Sequence, residues 1–381
     1  MDFSFTPEQS ELQQQVRRLG QEQIAPIAAE ADESPTVHGG LMAILADSGL
    51  LRHCVPEEYG GYGVNVMRLC IIREELARVS TQADTDFIMQ GLGSFPITLG
   101  GTPEQKSRYL PPIARGEAIA AFALTEGTGG SDVVGMRTTA VLDGDEWVLN
   151  GEKKFISNAG DAQTYVVFAK TDSEAGSRGI SAFIVERGTP GFDDSKRLDL
   201  MAPHPIGEPI FKDCRIPASN LIGEPGHGLR LALGTLDTFR TTVAAAAVGM
   251  GQAGYEAALD YAKNREMFGQ HLIDFQATQF KLADMAVSLD AARLLAYRAA
   301  WLKDSGQESV IKEASFAKLF ATEAASRIIN ESLQIHGSAG LEKGARIERL
   351  YRDVRALTIY EGTSEIQRQT IARQILREAR D

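Results

Sequence analysis

Cysteine is scarce in this chain: Cys54, Cys70 and Cys214 are the only three in 381 residues. Three scattered thiols support neither a disulfide framework nor a zinc site, so small buried residues in a reducing cytoplasm, and no metal centre, are expected. No run of about 18 apolar residues occurs, so there is no candidate membrane-spanning helix. Basic residues are outnumbered, 39 Lys and Arg against 51 Asp and Glu, for a net charge of −12 and a pI near 5.1. That balance argues against nucleic acid or an anionic membrane as partner. The opening Met1-Asp-Phe-Ser-Phe5 has neither a basic, apolar signal peptide nor an Arg-rich transit sequence. A cytoplasmic location is expected.

What remains is ordinary for a soluble globular protein, 43% apolar and 24% charged, and long enough for two or three packed regions. Thr6-Pro7-Glu8-Gln9 is a helix start with capping-box spacing. Helices are expected over roughly 7–31, 37–50, 64–79, 82–99 and 103–113, interrupted by the turn-rich Pro56–Gly61. From about residue 118 the texture turns β. Ala118–Leu124, Arg137–Leu142, Trp147–Ser157, Tyr165–Phe168, Ile180–Val185, Phe211–Ile216 and Leu221–Ile222 read as strands, and Asp143-Gly144-Asp145-Glu146 as a hairpin turn. With no helices between them, a doubly wound parallel sheet is disfavoured. After Gly223–Gly228 the chain is helical to its end. Leu282, Met285, Leu289, Ala292, Ala296 and Ala299 form an apolar stripe at spacings of three and four, and Phe320, Ala324 and Ile328 repeat similarly, as in an antiparallel bundle.

Five stretches carry candidate chemistry. Phe122-Ala-Leu124-Thr125-Glu126-Gly127-Thr128-Gly129-Gly130-Ser131-Asp132 is a strand followed by a small-residue turn whose N–H groups can cradle an anion or a polar ring edge. It is neither a Walker loop nor a dinucleotide fingerprint. Asn150-Gly-Glu-Lys153-Lys154-Phe155-Ile156-Ser157-Asn158 offers an aromatic ring and, two residues on along a strand face, a hydroxyl that could meet a flat heterocycle. Arg265-Glu-Met-Phe268-Gly269, with Phe275-Gln276, places an arginine at a helix end, where it either neutralises a diphosphate or complements the helix dipole. Gln334-Ile335-His336-Gly337-Ser338 is a small-residue turn at another helix end, its histidine read as an ordinary polar contact. Tyr360-Glu361-Gly362-Thr363-Ser364-Glu365 is a helix break. There Gly362 frees the backbone, Thr363 caps the next helix, and Glu361 either favours a helix dipole or acts as a general base.

Singly each is ambiguous; in this order and at this length they resemble a full-length acyl-CoA dehydrogenase over residues 3–378. The resemblance implies an α+β multidomain fold: an N-terminal helical domain (1–116), a central antiparallel β-barrel-like domain (117–223) and a C-terminal four-helix bundle (224–381). It implies FAD, an acyl-CoA substrate, an electron-transfer flavoprotein as partner and a homotetramer. By the same resemblance Phe122, Leu124, Thr125, Gly130, Ser131, Phe155, Ile156 and Ser157 would line the flavin. Arg265, Phe268, Phe275, Gln276, Gln334, Ile335, Gly337 and Ser338 would hold the adenosine diphosphate side, and Thr363 and Glu365 would also contact the cofactor. Ser131, Asp237 and Arg240 would meet the CoA moiety. Glu361 would take the α-proton, with Glu361 and Gly362 at the thioester. Some relatives carry the base just before the arginine matching Arg240; here that residue is Phe239, which leaves Glu361.

Three segments depart from the family pattern. Gly127-Thr128-Gly129 stands where Pro-Gly-Ala is common, Phe155 where Trp is usual, and Met201-Ala-Pro203-His204-Pro205 where Gly-x-Arg-x-Ser is usual. The helix before Gly101–Lys106 helps wall the acyl tail in the family. It contains Asp84, which either starts the helix facing solvent or meets a polar or cyclic acyl group. An acyl-CoA oxidase, a non-oxidative or reductive acyl-CoA enzyme and a silent flavin- or CoA-binding protein are the alternatives to a dehydrogenase.

Overall fold

The computed structural model describes residues 4–380. Its first helix begins at the expected capping box: Gln9 N–H donates to Thr6 Oγ1 at 3.2 Å and Thr6 N–H to Gln9 Oε1 at 3.0 Å. This opens α1 (Pro7–Leu19), which passes through a π-turn at Gly20–Ile24 into α2 (Ala25–Ala31). The helix expected over 37–50 is shorter. Helix α3 covers Gly39–Asp47, because Gly49 takes a left-handed φ of 75° and starts a 3-10 segment, Leu50–Cys54. Then come α4 (Val66–Ala77), α5 (Thr81–Gly100) and α6 (Pro103–Ala114), the last behind a second capping box from Thr102 and Gln105.

Ten strands follow: β1 (Ala120–Ala123), β2 (Thr139–Asp143), β3 (Glu146–Glu152), β4 (Ile156–Ser157), β5 (Thr164–Lys170), β6 (Ile180–Glu186), β7 (Phe192–Asp193), β8 (Ile206–Gly207), β9 (Ile210–Pro217) and β10 (Leu221–Ile222). Eight of them make one sheet in the order β10-β6-β5-β2-β3-β9-β7, with β1 beside β5, while β4 and β8 pair separately. Pairing is antiparallel except where β1 and β2 each meet β5. The strand expected over Trp147–Ser157 is two strands. Lys153 turns inward to a buried carboxylate and Phe155 adopts a left-handed φ of 57°, so Phe155 and Ser157 do not share a strand face as their spacing suggests.

The bundle consists of α7 (Gly228–Asn264), α8 (Gln276–Asp304), α9 (Ile311–His336), α10 (Arg346–Leu357) and α11 (Ser364–Glu378). Gly269, which the sequence suggests as the break after a helix ending at Arg265, does not break one. Helix α7 already ends at Asn264, and Phe268 and Gly269, both at positive φ, turn a short hairpin between β11 (Glu266–Met267) and β12 (Gln270–His271).

The chain divides into two compact units. The helical unit takes the residues up to Asp32, Asn65–Asp84 and Asp237 onward. All six residues of the predicted stripe, Leu282 through Ala299, are in its core against the alanine-rich face of α7 and against Ala317, Ala321 and Ile328 of α9. A small residue lets α7 lie close against α4: a Cβ at Gly249 would fall 2.2 Å from the Glu74 carbonyl oxygen. The β unit takes Glu33–Val64 and Thr85–Leu236. Its core holds Trp147 edge-on to Phe183 and Phe192 stacked on Phe211. Gln90 of α5 accepts the Ala120 N–H at 3.0 Å, which fixes the start of β1 and so the turn that follows it. Among the described residues no helix is long and apolar enough to cross a membrane, and no three His, Cys, Asp or Glu are grouped to hold a metal.

Candidate active site

The turn between α10 and α11 is built from local signals. Ser364 N–H donates across it to Thr358 O at 3.0 Å, and Thr363 Oγ1 caps α11 by accepting from Ile366 N at 3.3 Å. Between them Glu361 has a φ of 50° and Gly362 a φ of 93°. A left-handed non-glycine residue costs about 1–2 kcal/mol and persists only when its surroundings hold it. Three side chains of the helical unit do so. Arg240 Nε and Gln367 Nε2 each donate to the Glu361 carbonyl at 3.3 Å. The buried Lys318 ammonium donates to the Gly362 carbonyl at 2.7 Å, and Gln367 donates to it at 3.1 Å.

The Glu361 side chain makes no hydrogen bond among the described residues. Its Oε2 is enclosed. Burial raises its pKa above the ordinary carboxylate range; Arg73, then Arg240 and Lys318, oppose that rise, and Asp84 adds to it. A carboxylate with one oxygen enclosed and no hydrogen bond to satisfy it is poised to accept a proton. Desolvation pulls Lys318 down to about 8, against the attraction of Glu361. Arg240 also holds Asp237, Nη1 to Oδ1 at 3.2 Å.

Asp84 does not start its helix facing solvent. It is 1% exposed, and both its oxygens are taken by Arg73, Nε to Oδ1 and Nη2 to Oδ2, each at 2.7 Å. The Asp84 carboxylate therefore already has its charge matched by Arg73 in a buried bidentate pair.

In the β unit the first two motifs are joined. Lys154 N–H donates to Thr125 O at 2.9 Å. Beneath the turn, Glu126 is buried and accepts from Arg137 N at 2.6 Å, Thr138 N at 3.0 Å, Thr138 Oγ1 at 2.6 Å and Lys153 Nζ at 2.8 Å. Thr125, Gly130 and Ser131 are left towards the surface, while Phe122, Leu124 and Ile156 belong to the interior, Phe122 against Phe168. Phe155 is 51% exposed. Ser157 Oγ and His204 Nε2 are hydrogen-bonded at 2.9 Å, so the segment that departs most from the family pattern reaches a predicted cofactor residue. Desolvation pushes the His204 imidazole down to about 4, hence neutral.

In the helical unit Phe268 is 91% exposed and lies 6.5 Å, edge-on, from Phe275. Arg265 is exposed and its guanidinium has no carboxylate partner among the described residues; Gln276, the first residue of α8, is exposed as well. Gln334, Gly337 and Ser338 are exposed at the end of α9, and Ile335 is half-buried. His336 makes the ordinary contact expected of it, Nδ1 to Ser332 O at 2.7 Å with its ring tilted on Tyr261. Glu365 is exposed in the first turn of α11. Uncovered rings beside hydrogen-bonding groups, and a guanidinium with no counter-charge, fit a heterocycle and a diphosphate; the residues present therefore suit FAD.

The reading from sequence missed Arg73, Lys318, Gln367, His204 and the Glu126–Lys153 pair. Two had a visible signal. Lys318 falls on the same helical face as Ala314, Ala317 and Ala321, and Arg73 stands among Leu69, Cys70, Ile72 and Leu76, so each is a charge set in an apolar face.

Three family models match the chain: the N-terminal domain of acyl-CoA dehydrogenase over residues 6–117, its middle domain over 121–214 and its C-terminal domain over 226–376. The chain is 42% identical to the probable acyl-CoA dehydrogenase YngJ of Bacillus subtilis, over 99% of this chain and 100% of that one. Among solved structures it is similar to the butyryl-CoA dehydrogenase of Megasphaera elsdenii, at 37% identity and a TM-score of 0.94 over 99% of this chain and 100% of that one. It is also similar to a chain solved in work on the electron transferring flavoprotein of Acidaminococcus fermentans, at 40% identity and a TM-score of 0.95 over 99% and 100%. With three matched domains laid out in order along nearly its whole length, the chain belongs to the acyl-CoA dehydrogenase family and is an FAD-dependent oxidoreductase.

Proposed function

We propose that this acyl-CoA dehydrogenase forms a trans-2-enoyl-CoA, with Glu361 as the base that removes the α-proton. The observation that carries this reading is the enclosed, unpartnered Oε2 of Glu361 on a turn that Arg240, Lys318 and Gln367 hold rigid. At the alternative position for a base stands Phe239, fully buried and without acid–base chemistry. Glu361 N–H has no acceptor among the described residues, which leaves it free to donate to the thioester oxygen and stabilise the enolate charge that proton removal creates. Asp237, Arg240 and Ser131 would meet the CoA moiety. Phe155, Ser157 and Thr125 would hold the flavin ring, and Arg265, Gln276 and Gln334–Ser338 the adenosine diphosphate. FAD, when bound, supplies the acceptor for the hydride that leaves the β-carbon. The electrons pass on to an electron-transfer flavoprotein, a reading supported by the similarity to the Acidaminococcus fermentans chain.

The chain assembles as a homotetramer in the cytoplasm in this reading. Phe280, Val287, Leu294 and Trp301 are exposed on α8 at an unbroken spacing of seven, on the face away from its buried stripe. A run of large apolar side chains along two sides of one helix calls for a protein partner on the second.

The test is Glu361→Gln, which keeps size and hydrogen bonding but cannot take a proton at neutral pH. Turnover with an artificial acceptor should fall at least 10²–10⁴-fold while FAD and acyl-CoA binding persist. Turnover near that of the wild type would place the base elsewhere. Parallel assays with and without oxygen distinguish a dehydrogenase from an oxidase.

A further inference from the structure

The helical unit carries a second cluster of charge, apart from the groups around Glu361. A cavity of about 300 Å³ is walled by α1 and α2, α4, α7 and α10, and four arginines line it: Arg17, Arg78, Arg346 and Arg349. That volume is at the small end of the range for small-molecule sites. The two carboxylates that line the cavity with them, Glu75 and Glu256, are already taken. Arg17 donates to both oxygens of Glu75, Nε to Oε2 at 3.0 Å and Nη2 to Oε1 at 2.6 Å. Arg78 does the same to Glu256, with Nε to Oε2 at 3.1 Å, and Glu256 also accepts from Gln252 at 2.8 Å. Arg346 and Arg349 have no carboxylate partner among the described residues. Each spends one N–H on a main-chain oxygen: Arg346 Nη2 on Arg78 O, just past the end of α4, and Arg349 Nη1 on Gly344 O. Arg349 Nε is enclosed and donates to nothing among the described residues. Asp32 attracts both guanidiniums, but its hydrogen bonds come from Ser80 Oγ at 2.6 Å and Gln82 N–H at 3.1 Å.

Basic side chains favour the end of a helix, not its start. Arg346 is the first residue of α10, and Arg349 lies on the same face three residues on. The N-terminus of α10 already carries positive partial charge, and its N-cap, Ala345, offers no side-chain acceptor. Burial lowers the Arg346 pKa from its ordinary value; Glu256 opposes that, and the like charges of Arg349 and Arg78 add to it. Cations gathered at a positive helix end, with donors unused and the acids beside them already paired, are stabilised by an anion placed among them. We propose that this cavity binds a small oxyanion of the phosphate class, a free phosphate or a phosphate monoester, gripped by the guanidiniums of Arg346 and Arg349 while the Arg17–Glu75 and Arg78–Glu256 pairs hold the walls. Guanidinium forks match the paired oxygens of such an anion as no ammonium does. No residue lining the cavity belongs to the base, CoA or FAD sets named above, so the site does not depend on that reading.

The experiment is calorimetric titration of the FAD-loaded enzyme with inorganic phosphate and with ribose 5-phosphate, for the wild type, Arg346→Gln, Arg349→Gln and the double variant. Low, matched ionic strength in chloride limits screening, and bound FAD keeps the cofactor's own diphosphate subsite filled. The wild type should bind one oxyanion per chain, saturably. Each single variant should bind about 10–100-fold more weakly, the worth of hydrogen bonds to a charged group, and the double variant should show no binding. Acyl-CoA turnover should be retained in all of them, and thermal melting by circular dichroism reports folding. Arg346 is exposed, so its replacement spares the core; if the double variant does not fold, Arg346→Gln decides. Tighter binding of ribose 5-phosphate than of phosphate identifies a monoester as the occupant, and the reverse a free phosphate, provided that both are lost in the variants. The absence of saturable binding to the wild type overturns the proposal. So does binding that the folded variants retain at full strength; if CoA displaces it, the anion sits at the CoA site instead.

Discussion

Lys153, with no exposed surface, donates its ammonium at 2.8 Å to Glu126 Oε1, across 27 positions of sequence. This pair joins the two glycine-containing motifs of the β unit from underneath. Burial alone would raise the Glu126 pKa, but Lys153 and the donors from Thr138 and Arg137 hold it below the usual carboxylate range. Burial draws Lys153 down to about 8, with Glu126 opposing, so the pair is charged at neutral pH.

Lys153→Met should cost about 3–5 kcal/mol, because Glu126 stays buried with its counter-charge gone. Denaturant midpoints measure the loss. Replacing both residues by apolar ones of similar volume should recover part of it, and the single variant should release FAD more readily than wild type, read by flavin fluorescence.

Lys318→Met removes the donor to the Gly362 carbonyl and leaves Gln367 as its remaining partner. The left-handed turn at Glu361 should loosen. A displacement of the base by about 1 Å costs on the order of 10²-fold, so kcat should fall by roughly that factor with KM little changed. Steady-state kinetics across acyl-CoA concentrations separate the two parameters.

His204 carries a pH dependence of stability. Its pKa drops from 6.5 to about 4 in the folded chain, through desolvation, so between these values the unfolded chain binds the extra proton and stability falls as pH falls. Full stability is expected above about 6.5, with at most about 3 kcal/mol lost on reaching pH 4. His204→Asn should flatten that part of the curve, measured by chemical denaturation at pH 7 and pH 5. In the FAD-loaded protein the same substitution should alter the visible flavin spectrum, since Ser157 loses its partner.

Leu294→Asp with Trp301→Glu introduces two charges into the exposed stripe of α8. Sedimentation velocity should show a smaller species than wild type while the far-ultraviolet circular dichroism is retained. An unchanged sedimentation coefficient would mean that this face is not where subunits meet.

Much of the molecule is local and was therefore legible in sequence. The capping box at Thr6, the cap at Thr363 and the freedom of Gly362 each involve residues no more than three apart, where backbone geometry alone decides who meets whom. The stripe from Leu282 to Ala299 is periodic, and burial follows period. Glu361 was legible as a candidate because it sits in a recognisable run of neighbours. The geometry that supports its role was not. The clamp on its turn comes from Arg240 and Lys318, 121 and 44 positions away, and Arg73 finds Thr242 across 169. No periodicity or propensity announces such partners. Asp84 shows the limit most clearly: a carboxylate in a helix start reads as a dipole cap or a ligand contact. Only the packing of α4 beside α5 turns it into one half of a buried pair, because the cost of burying its charge is offset by Arg73.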